Sequence, residues 1–323
     1  MHRDRAHYVA RRTAAALLMV VVALTLNFVL FRALPGDASA SFGAVPEATP
    51  QMREQLRRDF GLSDPMPTQF VKYVEQLGHG NLGISVVDRQ PVTGRLGDAL
   101  KNTIPLALGA TLLAIMFGLL TGTLAAWRQG GVTDPGMTGV ALTLNAMPVQ
   151  WVGLVLIVGF SSWFASGGMH DPFLVDVGAW ARFTDYLRHL VLPMTTLALS
   201  LFGSFHVIVR SAVLETLGED YVLTARAKGL STARILRRYA LRNALLPTAT
   251  LIALTLGFVV GGAVLTETVF SWPGVGRAVY DAVTHRDFPM LQGAFLVLTL
   301  SVVLFTYLAD LLYLVLDPRV AAS

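Results

Sequence analysis

The chain has 323 residues, of which 54% are hydrophobic and only 14% charged. Soluble domains average about 25% charged residues, so composition excludes an ordinary soluble protein and places much of the chain in lipid. The absence of cysteine excludes disulfides and Cys-ligated zinc or iron–sulfur centres. A net charge of +4, with its basic residues in a few clusters, points to membrane topology and not to nucleic acid.

Crossing a bilayer takes roughly 20 apolar residues in a helix. In chain order, six segments reach that length: residues 13–31, 102–127, 136–165, 189–209, 243–266 and 288–309, none of which contains Asp, Glu, Lys or Arg. The first follows Arg11 and Arg12, and its apolar run exceeds a secretory h-region, which predicts an uncleaved anchor. Pro105, Pro193, Pro247 and Pro289 fall at or near segment starts, where a missing N–H costs little. Pro148 falls inside the third segment, which is longer than one crossing requires; a tilt or a kink is expected there.

Residues 35–101 form a long loop between the first two segments. Thr49, Pro50 and Gly61 mark one helix in it. A second follows, with Phe70, Val71, Val74 and Leu77 on one face. Basic residues then set the orientation: Arg3, Arg5, Arg11 and Arg12 lie in the tail, and Arg210, Arg226, Lys228, Arg234, Arg237, Arg238 and Arg242 lie between the fourth and fifth segments. By the positive-inside rule both stretches face the cytoplasm. The expected fold is therefore all-α integral membrane, with six transmembrane helices and both termini inside. Residues 1–34 are the tail and first helix, 35–101 a helical extracytoplasmic loop, and 102–323 a five-helix core.

The cytoplasmic loop 215–245 divides at Gly229. Glu215 to Lys228 reads as one helix with acids early and bases late, which suits the helix dipole. Ser231 is a candidate N-cap for a second helix, with Ile235, Leu236, Tyr239 and Ala240 on one face and arginines on the other. Patterning alone leaves two readings open: a knob fitted to a groove on a partner, or a basic amphipathic pair lying on anionic headgroups.

The same stretch, DYVLTARAKGLS followed by ALRNALLP, resembles the coupling loop of bacterial ABC-importer permeases in the dipeptide/oligopeptide/nickel branch. Anchoring the general pattern on Gly229 places Leu223, Thr224 and Ala225 on its Glu-Ala-Ala, and Leu241 on its Leu; the departures are those of this branch. The resemblance runs through FRALPGD, LRRDFGLSDPMPTQF, GNLGISV, LTETVFSWPGVGRAVYDAVTHRDFPMLQG and DLLYLVLDPR, in order. It implies the first, B-type permease subunit of a peptide importer with the type I fold in a bacterial inner membrane. The implied partners are a second homologous permease, two ATPase subunits that carry ATP and Mg, an extracytoplasmic substrate-binding protein and membrane lipid. It also implies that Asp220, Tyr221, Thr224, Ala225, Arg226, Ala227, Lys228, Gly229 and Leu230 meet an ATPase subunit. No cofactor, metal or catalytic residue is expected on this chain, which lacks the Gly-x-x-x-x-Gly-Lys-[Ser/Thr] phosphate loop.

Candidate pathway residues are Asn145, Pro148 and Gln150 in the third segment and Thr196, Ser200 and Ser204 in the fourth. Amides at membrane depth need a partner or water, and Ser or Thr often bonds its own helix. Interhelical bonding and packing are therefore weighed beside a pathway role. Glu267 and Trp272 are candidates for an outer gate or a receptor contact. Gly118 with Gly122, and Gly257 with Gly261, predict close helix contacts. Asp310 is expected to pair with a cytoplasmic arginine. Nickel chelates, glutathione or another small solute are alternative cargoes. A self-contained secondary transporter or channel is the alternative class; it would show intramembrane acids, discontinuous helices or inverted repeats.

Overall fold

The structure is a computed structural model that describes residues 2–33, 51, 64–174, 177–241, 248–249, 251–252, 254–255 and 263–316. Its helices, in chain order, are α1 (His2–Ala33), α2 (Met66–Gly78), α3 (Val92–Trp127), α4 (Thr133–Ala146), α5 (Val149–Phe160), α6 (Ala179–Leu217), α7 (Asp220–Ala227), α8 (Thr232–Ile235), α9 (Val264–Val269), α10 (Val275–Thr284) and α11 (Phe288–Leu316). A π-helical turn, Leu236–Ala240, continues α8.

Among the described residues, four helices are long and apolar enough to cross a membrane, within Ala6–Arg32, Val92–Trp127, Ala179–Leu217 and Phe288–Leu311. They contain the first, second, fourth and sixth expected segments. Most of the fifth expected segment lies outside the described residues, as do Gly257, Gly261, Pro247, Arg242 and all but residue 51 of the helix expected at Thr49–Gly61.

The third segment bends at Pro148, as expected, but the bend is sharp enough to leave two helices, α4 and α5, set at 105°. At 1.5 Å per residue they are roughly 21 and 18 Å long, so neither reaches across a core of about 30 Å alone. The cause is local. Pro148 offers no N–H and forces its predecessor out of the helical region: Met147 has ψ 135° and Pro148 ψ 132°.

The prolines at 105 and 193 also differ from expectation, since both lie inside helices. α3 begins at Val92 and α6 at Ala179, so each helix runs past its apolar segment into a polar, partly buried extension. In α3 that extension carries Val92, Leu96 and Ala99 into a core with Phe31, Val275, Ala278, Ala282, Met290, Leu291 and Ala294. Asp287 starts α11 by accepting the Met290 N–H at 3.1 Å, and Ser85 donates to the same carboxylate.

α3 and α6 form the central pair. Gly118 and Gly122 bring their backbones together: a Cβ on Gly122 would stand 2.7 Å from the His206 carbonyl oxygen, and one on Gly118 would stand 2.4 Å from Cβ of Phe205. Gly203 does the same between α6 and α4, against the Ala141 carbonyl. α1 packs along α11, where Arg12 meets Asp310 at 3.1 Å and the Thr13 and Tyr307 hydroxyls lie 2.9 Å apart. The expected ion pair of Asp310 is thus present.

α2 lies against the end of α1 through Phe70 and Tyr73, whose rings meet Phe28. Val71 and Val74, expected on that face, are exposed, while the polar Gln69 is buried. The face turns toward Tyr73 because its hydroxyl donates to Asn27 at 3.0 Å. Burial pushes the Tyr73 phenol up to about 12, against the pull of a hydrogen bond with Gln292.

Candidate functional site: the α7–α8 knob and the bent pair

α6 ends at Leu217, with Gly218 as its C-cap and Glu219 extended at ψ 146°. Glu215 to Lys228 is therefore not one helix, because Gly218 breaks it. α7 then runs from Asp220 to Ala227 with Asp220 in its first turn and Arg226 in its last, the order the dipole favours. Gly229 stops it as expected, at φ +77°, a region that L side chains resist. The Leu230 N–H donates to the Ala225 carbonyl at 3.2 Å and the Gly229 N–H to the Arg226 carbonyl at 2.9 Å. These two bonds make a Schellman close. Ser231 follows in extended geometry, and its side chain makes no capping bond.

The two short helices are held by a small core of Val222, Ala225 and Ile235, with Leu217, Leu230 and Tyr239 packed around it. Ala225 and Leu230 thus work inside the knob. Ala225 is 4% exposed and is not available to a partner in this structure. Asp220, Tyr221, Thr224, Arg226, Ala227, Lys228 and Gly229 are exposed, as are Arg234, Arg237 and Arg238. Below the knob, Leu236 and Ala240 of the π turn pack on Ala126 of α3 and on Val209 and Val213 of α6. The knob therefore stands on the ends of the central pair. Val222 is fully buried, and the sequence pattern did not single it out.

Of the pathway candidates, the structure brings Asn145 and Ser204 together. The Ser204 hydroxyl donates to the Asn145 side-chain oxygen at 3.1 Å, linking α6 to the end of α4. Thr196 and Ser200 give their hydrogens to the Leu192 and Thr196 carbonyls of their own helix. Thr196 is buried, and its methyl faces Gly153 of α5. The stripe on α6 thus runs along the bent pair. Pro148 is the N-cap of α5, and Gln150 lies half-buried in its first turn.

Glu267 and Trp272 turn inward. Both are fully buried, which leaves neither side chain open to a receptor in this structure. One Glu267 oxygen accepts the Thr103 hydroxyl at 2.6 Å; the other accepts the Gly276 and Arg277 N–H groups at 2.7 and 3.1 Å, capping the start of α10. Thr103 in turn accepts the Val275 N–H at 2.9 Å, and the Trp272 indole donates to the Asn102 carbonyl at 3.0 Å. The two residues clamp the 267–277 loop onto α3. Thr103 is the residue that sequence reasoning missed here.

The chain's relatives agree with this architecture. The pattern described as binding-protein-dependent transport system inner membrane component matches residues 114–322, and its N-terminal companion matches residues 5–107. The di/tripeptide transport system permease protein DppB of Pseudomonas aeruginosa is 38% identical over 97% of this chain and 98% of its own length. The dipeptide transport system permease protein DppB of Escherichia coli K12 is 35% identical over the same shares. Among solved structures, an inward-facing MetNI methionine ABC transporter aligns with TM-score 0.57 at 16% identity, over 69% of this chain and 96% of that one, a likeness of fold. With two family patterns covering nearly all of it and full-length relatives above 30% identity, the chain belongs to the binding-protein-dependent transport system inner membrane components.

Proposed function

We propose that this chain is one of two permease subunits of an ATP-driven importer of di- or oligopeptides, and that its α7–α8 knob receives the mechanical input. One observation carries the reading: a closed, exposed, basic-rimmed turn is mounted directly on the ends of α3 and α6, in a chain of this family. The names of the full-length relatives support peptides as cargo. On this reading the partners are a second homologous permease, two ATPase subunits that bind ATP and Mg, and an extracytoplasmic binding protein. The chain itself does no bond chemistry.

The mechanism follows from what is rigid. The exposed face of the knob, Tyr221, Ala227 and Gly229 at its small-residue tip and Arg226 with Lys228 at its rim, seats in a cleft on an ATPase subunit. ATP closes the ATPase pair only because it binds the closed form better. That closure displaces the knob, and the core of Leu236, Ala240, Val209 and Val213 passes the displacement into α6 as a unit. α6 is 39 residues long, roughly 58 Å, so it extends well beyond the bilayer to meet the knob. Its movement, passed into the bent pair, opens and closes the pathway beside Asn145, Gln150 and Ser204. Six spans with both termini cytoplasmic complete the reading, and the Arg12–Asp310 contact, which joins the start of α1 to the end of α11, supports it.

The discontinuous α4–α5 pair is also a feature of secondary transporters. Family membership and the absence of charged residues from the six apolar segments favour the ATP-driven reading. The test is co-purification through a tag on this chain, followed by ATPase assay of the captured complex with rising binding protein and dipeptide. Stimulated ATPase activity in the complex supports the reading. Solute movement by this chain alone in vesicles would overturn it.

A further inference from the structure

A polar chain crosses three helices just above the knob. The Arg210 guanidinium of α6 donates twice to the Asp134 carboxylate of α4, from Nε at 2.6 Å and from Nη2 at 2.7 Å. Asp134 is 6% exposed. One turn along each helix, the His206 ring of α6 is fully buried, with Nδ1 2.9 Å from the Thr121 hydroxyl of α3 and Nε2 3.2 Å from the Thr138 hydroxyl of α4. Thr121 gives its hydrogen to the Phe117 carbonyl at 2.7 Å, so Nδ1–H of His206 donates to Thr121. Nε2 faces the Thr138 hydroxyl, which donates its hydrogen to the Asp134 carboxylate at 3.3 Å. Gly122 permits the approach, since a side chain there would strike the His206 carbonyl.

These contacts have one mechanical property in common. A bidentate guanidinium–carboxylate pair fixes angle as well as distance, and a second bridge one turn away resists rotation about it. Together they fasten the first turns of α4 to α6 at the end that leads into the knob. The far end of α4 is the Met147–Pro148 bend, next to the Ser204–Asn145 bond.

We propose that Asp134, Arg210 and His206 are positioning residues that bind α4 to α6 as one rigid body, so that displacement of the knob is delivered to the bend at Pro148. This inference rests on the proposed function but concerns how its motion is transmitted. Asp134 and Arg210 touch neither cargo nor ATPase on that reading; they act through α4.

The chain has no cysteine, so single cysteines can be introduced for spin labels without removing any. In the reconstituted full importer, labels at V140C on α4 and S211C on α6, both exposed positions, report the α4–α6 distance with and without trapped ATP. The expected result is one narrow distance distribution in both states for the wild-type background, and a shifted or broadened one with ATP in Asp134→Asn and Arg210→Lys. In the same variants, uptake of labelled dialanine per ATP hydrolysed falls by about tenfold while basal ATPase activity holds. Exchanging the pair, Asp134→Arg with Arg210→Asp, recovers part of that ratio. Thr138→Val, which keeps the ion pair and cuts the histidine bridge, gives a smaller loss. A wild-type α4–α6 distance that changes with ATP overturns the proposal whether or not any variant folds. So does an unchanged uptake-to-ATP ratio in Asp134→Asn. A wild-type complex that moves no dialanine would count against the cargo, while the distance measurement would still decide the tie.

Discussion

Arg12 and Asp310 lie 3.1 Å apart at opposite ends of the sequence, in helices that run antiparallel. Their side chains are 44% and 22% exposed, so the pair is screened and contributes about 1 kcal/mol at most. Asp310→Asn is therefore expected to leave ATP-driven uptake intact, with only a slight fall in thermal stability. Uptake assayed with and without a proton uncoupler checks this. Loss of transport in the variant would point to a proton role for the carboxylate.

The Glu267 clamp predicts a larger effect. Glu267→Gln keeps one acceptor but turns an amide N–H₂ toward donors that had a carboxylate, either Thr103 or the Gly276 and Arg277 N–H groups. Leaving buried donors unpaired costs about 2 kcal/mol. Gly276→Ala should be at least as damaging, because its Cβ would lie 2.3 Å from Cα of Val264. Unfolding temperature in detergent measures both, and the expected order is wild type above Glu267→Gln, with Gly276→Ala no higher.

At the knob, two variants separate shape from docking. Gly229 stands in open space, so Gly229→Ala meets no atom and costs only the strain of φ +77°, about 1 kcal/mol. Gly229→Arg adds bulk at the tip; it should abolish substrate-stimulated ATPase activity and uptake while the chain still inserts in the membrane. Val222→Ala works from inside, hollowing the core between α7 and α8 at a cost of about 2 kcal/mol. Normal uptake by Gly229→Arg would remove the docking assignment.

Tyr73 gives a pH dependence. Its phenol titrates near 10 in an unfolded chain and, through burial, at about 12 when α2 is docked. An acid whose folded pKa is raised contributes stability that is complete below the unfolded value and lost as pH rises through the folded one. The docking of α2 on α1 should hold up to about pH 10 and weaken from there to about 12. Tyrosinate absorbance with a cysteine label on α2 follows it, and in Tyr73→Phe the alkaline loss should disappear.

Long apolar runs were legible because the bilayer sets their length: the first, second, fourth and sixth segments all sit inside helices found in the structure. Their ends were less so. Val92 to Lys101 reads as polar loop, yet its Val92, Leu96 and Ala99 face meets α10 and α11, a partner surface that sequence spacing does not announce. Gly229 was readable because its turn needs a backbone that glycine favours; Gly218 carries the same residue without positive φ and passed unnoticed. Pro148 signalled a bend, but 105° depends on what α4 and α5 each pack against. Glu267 looked like a boundary carboxylate because its hydroxyl partner, Thr103, is 164 residues away.

The two stretches that the family patterns recognise, 5–107 and 114–322, meet within α3 and not at a linker. Val92 to Trp127 is one unbroken helix, anchored at its start among α1, α10 and α11 and, near its end, against α6 and the π turn. What looks like a junction between modules is the interior of one helix, whose ladder misses the N–H of Pro105. Along α3 the two recognised stretches share one helix and not a loop, and a push along the rod's axis at one end is felt at the other.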